Sequence, residues 1–320
     1  MNAISVVIPT LNGEDLLARF LPALLEALRS VGEGHQVVVV DNASTDGSLP
    51  LLEERFPEVE VVRLAENRGF SAAVNAGLET VRCPWVLSLN NDIRVETDFL
   101  PPLLEATAEG ALFAAVPRIL LPTHGGRVES VMDAEFRDGF IEFSQPGLAV
   151  NGPSFPGSRE VFFAVGGCGL YHTERLRRLG GFDARYHPFY WEDIDLGYRA
   201  WRRGWTVKYV PDSVVHHRHR GTISTLYSEA EVKRALLKNQ LLFHWKNLHD
   251  PAMLEEHLHG ILLRILDEDI RGERAFLESL HMALEDADTV LPAREEEAEH
   301  DGKVPIKRAW GGSGRGVTQE

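Results

Sequence analysis

A chain of 320 residues with 44% hydrophobic and 25% charged side chains can bury a large core, which excludes disorder throughout and leaves room for one big domain with an appendage. Lys and Arg number 33 against 48 Asp and Glu, a net charge of −15 that excludes a nucleic-acid-binding face and requires any bound phosphate to be held locally. Two cysteines, Cys83 and Cys168, without CxxC spacing give neither a zinc nor a disulfide framework.

Short β-branched runs alternate with helical patterns through the first third. Ile4–Ile8, Val37–Val40, Val59–Leu64 and Trp85–Leu89 are nearly continuous in apolar residues, the pattern of strands covered on both faces. Between them, Glu14–Val31 carries Leu17, Leu21, Leu24, Leu25 and Leu28 at helical spacing. Asp46, Gly47 and Ser48 start a helix over Leu49–Arg55, and Gly69–Thr80 sets Phe70, Val74 and Leu78 one turn apart. This alternation predicts an α/β fold: a mostly parallel sheet with helices on both faces, whose ligands lie beyond the carboxyl ends of the strands.

The stretch 118–160 is broken by Pro122, Gly125, Gly139, Pro146 and Pro153, among others, and reads as an insertion or flexible loop near a substrate. From Ser228 to about Asp288 leucines return at helical spacing, and the last thirty residues, acidic then glycine-rich, read as a disordered tail. The expected organisation is a catalytic domain over 1–225, a helical extension over 226–290 and a tail over 291–320. No apolar run approaches the ~20 residues that span a bilayer, and the N-terminus enters a strand without a basic leader, so the expected location is cytoplasmic. The 226–290 helices could rest on the inner face of a membrane or pair two copies. The interleaved Glu255, Glu256, Asp267, Glu268 and Asp269 favour packing on the catalytic domain.

Polar clusters follow each early strand: Pro9-Thr10-Leu-Asn-Gly-Glu14, Asp41-Asn42-Ala-Ser44, Glu66-Asn67-Arg-Gly69 and Asn90-Asn91-Asp92. One such cluster is ordinary turn chemistry. Four on one sheet edge suit a nucleotide, with Asp41 accepting from a base imide or ribose hydroxyl, Thr10 and Glu14 flanking it, and helix N-termini offering N–H groups to phosphate. The chain has no GxGxxG or GxxxxGK[ST] motif and no GxSxG elbow, which disfavours dinucleotide, P-loop and serine-hydrolase solutions. In an extended segment Asn90 and Asp92 would point the same way, toward one Mg²⁺ or Mn²⁺ bridging a diphosphate.

Much later come Gly166-Gly167-Cys168, Gly181-Phe182-Asp183 and Trp191-Glu192-Asp193-Ile-Asp195. In this order, together with the strand-end clusters and Asn75 in Gly69–Thr80, they resemble the inverting family 2 glycosyltransferases of the GT-A fold, near their rhamnosyltransferase-like branch. The resemblance covers about residues 4–225. It implies a GT-A-like, Rossmann-type sheet, a UDP- or dTDP-sugar donor and a saccharide or lipid-linked acceptor. It assigns Pro9, Thr10, Glu14 and Asp41 to the nucleoside, with Asn42 and Asn91 beside them, and Asn67, Gly69 and Asn75 to the diphosphate strip. Asp92 matches the last acid of the metal motif, whose first acid is Asn90 here. His217 matches a histidine near the metal, with His216 and His219 as alternatives. Gly167, Cys168 and Trp191 would border the acceptor.

Displacing a nucleoside diphosphate from an anomeric carbon needs a deprotonated hydroxyl and a stabilised leaving charge. Asp193, in the family's Glu-Asp pair, is the expected base, with Glu192 the alternative. Glu192 also suits the positive end of the helix it opens, Asp195 suits a pair with Arg199, and Arg199, Arg202 and Arg203 suit a solvated face in preference to a phosphate site. A silent sugar-nucleotide-binding scaffold is a second reading. A nucleotidyltransferase is a third, disfavoured because Pro9–Glu14 contains no basic residue.

Overall fold

The computed structural model describes residues 3–122, 127–144, 157–218 and 227–308. The first third follows the predicted alternation: β1 (Ile4–Thr10), α1 (Glu14–Val31), β2 (Gln36–Asp41), α2 (Ser48–Arg55), β3 (Glu60–Arg63), α3 (Gly69–Thr80) and β4 (Trp85–Leu89). Then come β5 (Ile93–Val95), α4 (Leu100–Ala106), β6 (Leu112–Leu121), β7 (Arg127–Val128), β8 (Asp133–Arg137), β9 (Phe140–Ser144) and β10 (Arg159–Glu160). The catalytic half closes with β11 (Cys168–His172), α5 (Thr173–Arg178), α6 (Glu192–Arg202) and β12 (Thr206–His217). The main sheet runs β10-β12-β6-β11-β4-β1-β2-β3, with β5 pairing β12 and β7 pairing β6. β1 to β4 are parallel and largely covered, which is why their sequences lack alternation. β11 lies antiparallel between β4 and β6, so Gly166 and Gly167 arrive beside the carboxyl end of β4. Gly77 of α3 allows close packing on the sheet, since a Cβ there would stand 2.5 Å from Val7 and 2.9 Å from Val40.

The C-terminal helices are α7 (Glu229–Asn247), α8 (Pro251–Arg271), α9 (Ala275–Glu285) and α10 (Ala287–Ala298), followed by β13 (Ile306–Arg308). A capping box at Ser228 and Glu231 starts α7. A second core joins Leu241, Leu242 and Phe243 of α7 to Phe136, Phe140 and Ile141 of the β8–β9 hairpin and to Trp191 and Tyr198 beside α6.

Two sequence expectations are corrected here. The 118–160 stretch is not loop throughout: β8 and β9 form a hairpin closed at Asp138-Gly139, both at positive φ, and present Ala134, Phe136, Phe140 and Ile141 to the second core. The expected tail carries α10 and β13, because Val290 and Ala293 bury themselves, Glu297 pairs with Arg203, and β13 pairs with β8. Residues 309–320 lie outside the described residues. Nor do the helices pack on every apolar face, since Leu258, Leu262, Leu266 and Ile270 of α8 are exposed. Among the described residues no helix is long and apolar enough to cross a membrane.

Candidate active site

The carboxyl ends of β1, β2 and β4 meet as the parallel sheet requires. Thr10 and Asp41 are buried side by side in register at the ends of β1 and β2. Asn91 donates from Nδ2 to the Thr10 hydroxyl at 2.8 Å, and the Ser44 N–H donates to Asp41 at 3.2 Å. Pro9 precedes Thr10 on β1. The Glu14 carboxylate accepts from the Gly47 N–H at 3.0 Å, stapling two strand-end loops together. Asn42 braces the next loop, donating to Asn67 at 2.9 Å and accepting from the Arg68 N–H at 2.9 Å. Gly69 has φ +77° and faces His187, whose Nδ1 would lie 2.9 Å from an added Cβ. Asn75 is engaged by the backbone. Both ends of its amide bond Phe182, at 2.7 and 2.9 Å, and so fix the Gly181-Phe182 turn.

Residues 90–93 do not run extended as expected. The Ile93 N–H returns to the Asn90 carbonyl at 3.2 Å, forming a turn that sends the three side chains apart. Asn90 packs over Gly167, where a Cβ would meet it at 2.4 Å, Asn91 goes to Thr10, and Asp92 goes to His217. Nε2 of His217 stands 3.3 Å from Oδ1 of Asp92, and Nδ1 stands 2.9 Å from Glu129. Burial alone would lower the His217 pKa, yet the carboxylates of Asp92 and Glu129 on its two nitrogens push it up to about 10. His216 turns instead to Glu96, at 2.6 Å, and His219 lies outside the described residues.

Oδ1 of Asp92 is buried against this imidazole nitrogen, with no closer donor among the described residues. Held protonated between two carboxylates, His217 is the cation that Asp92 faces; a divalent ion would take the place of that proton, and Asp92 with the freed imidazole nitrogen would then hold an ion whose remaining ligands come from water and substrate phosphate. Among the described residues no group of three or more His, Cys, Asp and Glu side chains is placed to hold a metal.

The Glu192-Asp193 pair opens α6. Tyr190 and Trp191 both have positive φ, +69° and +78°, a left-handed corner that costs about 1–2 kcal/mol per residue and swings the helix start inward. Asp193 accepts from the Gly166 N–H at 3.1 Å and stays partly open, whereas Glu192 is buried with Oε2 unpartnered among the described residues. Burial, with Asp193 beside it, raises Glu192 to about 8. Burial also raises Asp193, to about 6, held back by the Gly166 and Ile194 N–H groups and assisted by the negative charge of Glu129. Both carboxyl groups are raised, and Glu192, with fewer backbone donors, holds its proton more tightly than Asp193.

Glu129 ties the two halves together. It bonds His217, the partner of Asp92, and its charge is felt at Asp193 and at Tyr190. Gly166 and Gly167 complete the join, one bonded to Asp193 and the other to Asn90, whose N–H donates to the Gly167 carbonyl at 2.7 Å.

The profile of Glycosyl transferase family 2 matches residues 5–179. The chain belongs to that family. It is 29% identical over 251 residues to an N-acetylglucosaminyl-diphospho-decaprenol L-rhamnosyltransferase of Mycobacterium tuberculosis, covering 69% of this chain and 78% of the relative. Over 114 residues, 34% of each chain, it is 35% identical to an undecaprenyl-phosphate 4-deoxy-4-formamido-L-arabinose transferase of Pseudomonas paraeruginosa. Its fold resembles that of S. aureus TarS, solved with UDP-GlcNAc, at a TM-score of 0.58 and 17% identity over 92% of this chain and 83% of that one. GalNAc-T7, solved with UDP, GalNAc and Mn²⁺, matches at 0.60 and 17% identity over 92% of this chain, which spans 58% of that structure. The protein is thus a family 2 glycosyltransferase with a GT-A-like fold.

Several expected site residues of this glycosyltransferase lie elsewhere. Cys168 is fully buried between β4 and β6, and burial pushes its thiol pKa far up, so it cannot border an acceptor. Trp191 is 7% exposed and packs against Phe143 and Phe243. Gly167, by contrast, stays half-buried beside Asn90, next to the Gly166 that bonds Asp193. Asp195 pairs with Arg199 at 2.6 Å as expected, but Arg199 is buried, not solvated. Glu129 went unnoticed because Val128-Glu129-Ser130 matches no motif and lies in the stretch read as loop.

Proposed function

We propose that this glycosyltransferase catalyses inverting transfer of a sugar, with rhamnose the first candidate, from a UDP- or dTDP-sugar to a saccharide or lipid-linked acceptor. The observation that supports this reading is the Gly166-Gly167 pair, which bonds Asp193 through one residue and Asn90, two residues before Asp92, through the next. Thr10, Asp41 and Asn91 receive the nucleoside. Asp92 and His217, once His217 releases its proton, would hold a Mg²⁺ or Mn²⁺ ion, which would supply positive charge to the leaving diphosphate. Asp193, fixed by Gly166, accepts the proton of the acceptor hydroxyl as its oxygen bonds the anomeric carbon. The bond from that carbon to the diphosphate oxygen breaks on the opposite side, inverting the configuration. Glu192, neutral beside the base, adds no second negative charge. Rhamnose and the lipid-linked acceptor come from the mycobacterial relative's name.

Thermal-shift measurements against UDP-, dTDP- and GDP-sugars, with and without Mn²⁺, test the donor and metal assignments. Stabilisation by a pyrimidine carrier that grows with Mn²⁺ is expected, because a ligand bound only by the native state raises its stability. Stabilisation by GDP-sugars alone would reject the donor. Transfer by Asp193→Ala equal to that of the parent would reject the base. The neutral Asn90 in the metal motif favours one alternative, a silent sugar-nucleotide-binding scaffold, for which the parent would bind donor tightly without turnover.

A further inference from the structure

A cavity of about 390 Å³ opens between α1, β5 and the end of β12, lined by Arg19, Phe20, Arg94, Pro122, His216 and Arg218. Its wall is built on β5, which Asp92 immediately precedes, and on the end of β12, which His217 closes. Arg94 pairs in register with His216 as Ile93 does with His217, and the Arg218 N–H donates to the Asp92 carbonyl at 3.3 Å. Of the three arginines that line it, Arg94 pairs with Glu96 at 2.8 Å, and the same carboxylate takes His216 at 2.6 Å. Among the described residues Arg19 and Arg218 have no ion pair. The Arg19 guanidinium lies 5.4 Å above the Phe20 ring, which anchors the side chain at the rim.

A local cluster of guanidinium groups in a chain of net charge −15 attracts an anionic occupant, and the planar fork of arginine suits phosphate oxygens. The volume lies within the range of small-molecule sites and well above a single ion's need. We propose that this cavity is a phosphate subsite, receiving the diphosphate that joins a lipid carrier to the acceptor sugar. The proposal rests on the transfer reading above and narrows its acceptor class. The same chemistry could be presented by a bilayer headgroup, so the test separates the two sources.

Binding of inorganic pyrophosphate, measured calorimetrically with a metal chelator present, needs no turnover and so stands or falls apart from the transfer reading. An Arg19→Gln/Arg218→Gln variant with unchanged thermal unfolding is expected to bind at least about tenfold more weakly than the parent. Equal affinity would overturn the subsite. In transfer assays, KM for an N-acetylglucosaminyl-diphospho-alkyl acceptor should rise at least about tenfold, with KM for the uncharged alkyl glycoside and for the donor unchanged. A matching rise in donor KM would place the cavity in the donor site and overturn the proposal. If acceptor KM stays constant while binding to phosphatidylglycerol vesicles is lost, the occupant is a headgroup and the acceptor assignment is overturned.

Discussion

Two adjacent carboxyl groups are raised to different extents because the N–H groups of Gly166 and Ile194 both donate to Asp193, whereas Glu192 has only its own N–H to oppose burial. The Gly166 N–H points at Asp193 and none of the described donors reaches Glu192 Oε2, so burial acts with less opposition on Glu192. A general base must be ionised, and Asp193 loses that state as pH falls through about 6. With donor and Mn²⁺ saturating, initial transfer rates are therefore expected to fall below about pH 6 and to level above it. Asp193→Asn should lower kcat by about 10²–10⁴ and erase this limb, whereas Glu192→Gln should keep it. Loss of the limb in Glu192→Gln instead would exchange their roles. The sequence places both acids in a motif but carries no information on which one faces a backbone donor. It misplaces Cys168 and Trp191 for the same reason, since a motif does not show which side of a strand or corner is buried.

The elements explain why the base sits where it does. α7 grips the chain from Asp183 to Asp195 at several points. Asn239 donates from Nδ2 to the carbonyls of Tyr186, Phe189 and Tyr190 at 2.7, 2.9 and 3.0 Å, and Lys238 reaches the His187 carbonyl at 3.1 Å. Lys246, 2% exposed, joins Asp183 at 2.7 Å and Asp195 at 2.8 Å, while Asn247 adds a bond to Asp195 at 2.9 Å. Lys246→Met leaves buried carboxylates short of their cation and is expected to cost about 3–5 kcal/mol, read from urea midpoints. Asn239→Ala removes three partners from buried carbonyls, at about 1–3 kcal/mol, and loosens the left-handed corner before Asp193. Its kcat should drop at least about tenfold, the scale of one lost backbone contact, with donor KM within about twofold. Unchanged kcat would make the contact structural only. The βα alternation of β1 to β4 is legible because continuous apolar runs force a buried parallel sheet. This grip is not legible, because Asn239 and Lys246 lie some fifty residues from their partners, on a helix whose periodicity speaks only of packing.

Across the whole molecule, buried titratable groups act on stability in opposing directions. His244 and His257 stack at 4.8 Å in the second core, and burial holds both neutral, His244 well below its usual value and His257 down to about 4. The unfolded chain takes up their protons near 6.5 and the folded chain does not, so their contribution is complete above 6.5 and is lost as pH falls toward 4, by up to about 1.4 kcal/mol per pH unit for each ring. Glu192 and Asp193 work the other way. Their folded values of about 8 and about 6 exceed the unfolded values, so the folded chain binds protons first and gains stability as pH falls through the same window. The parent is therefore expected to lose stability between about pH 6.5 and 4.5 less steeply than its histidines alone would dictate. A Glu192→Gln/Asp193→Asn variant removes the compensating pair. It should be more stable than the parent at pH 7.5, where holding these carboxyl groups buried is costly, and should lose stability more steeply on acidification, with the stacked pair and His35, His172 and His187, which burial also lowers, setting the slope. Urea unfolding at half-unit pH steps reads both effects, and parallel curves for the two proteins would show that the active-site acids carry no cost in the fold.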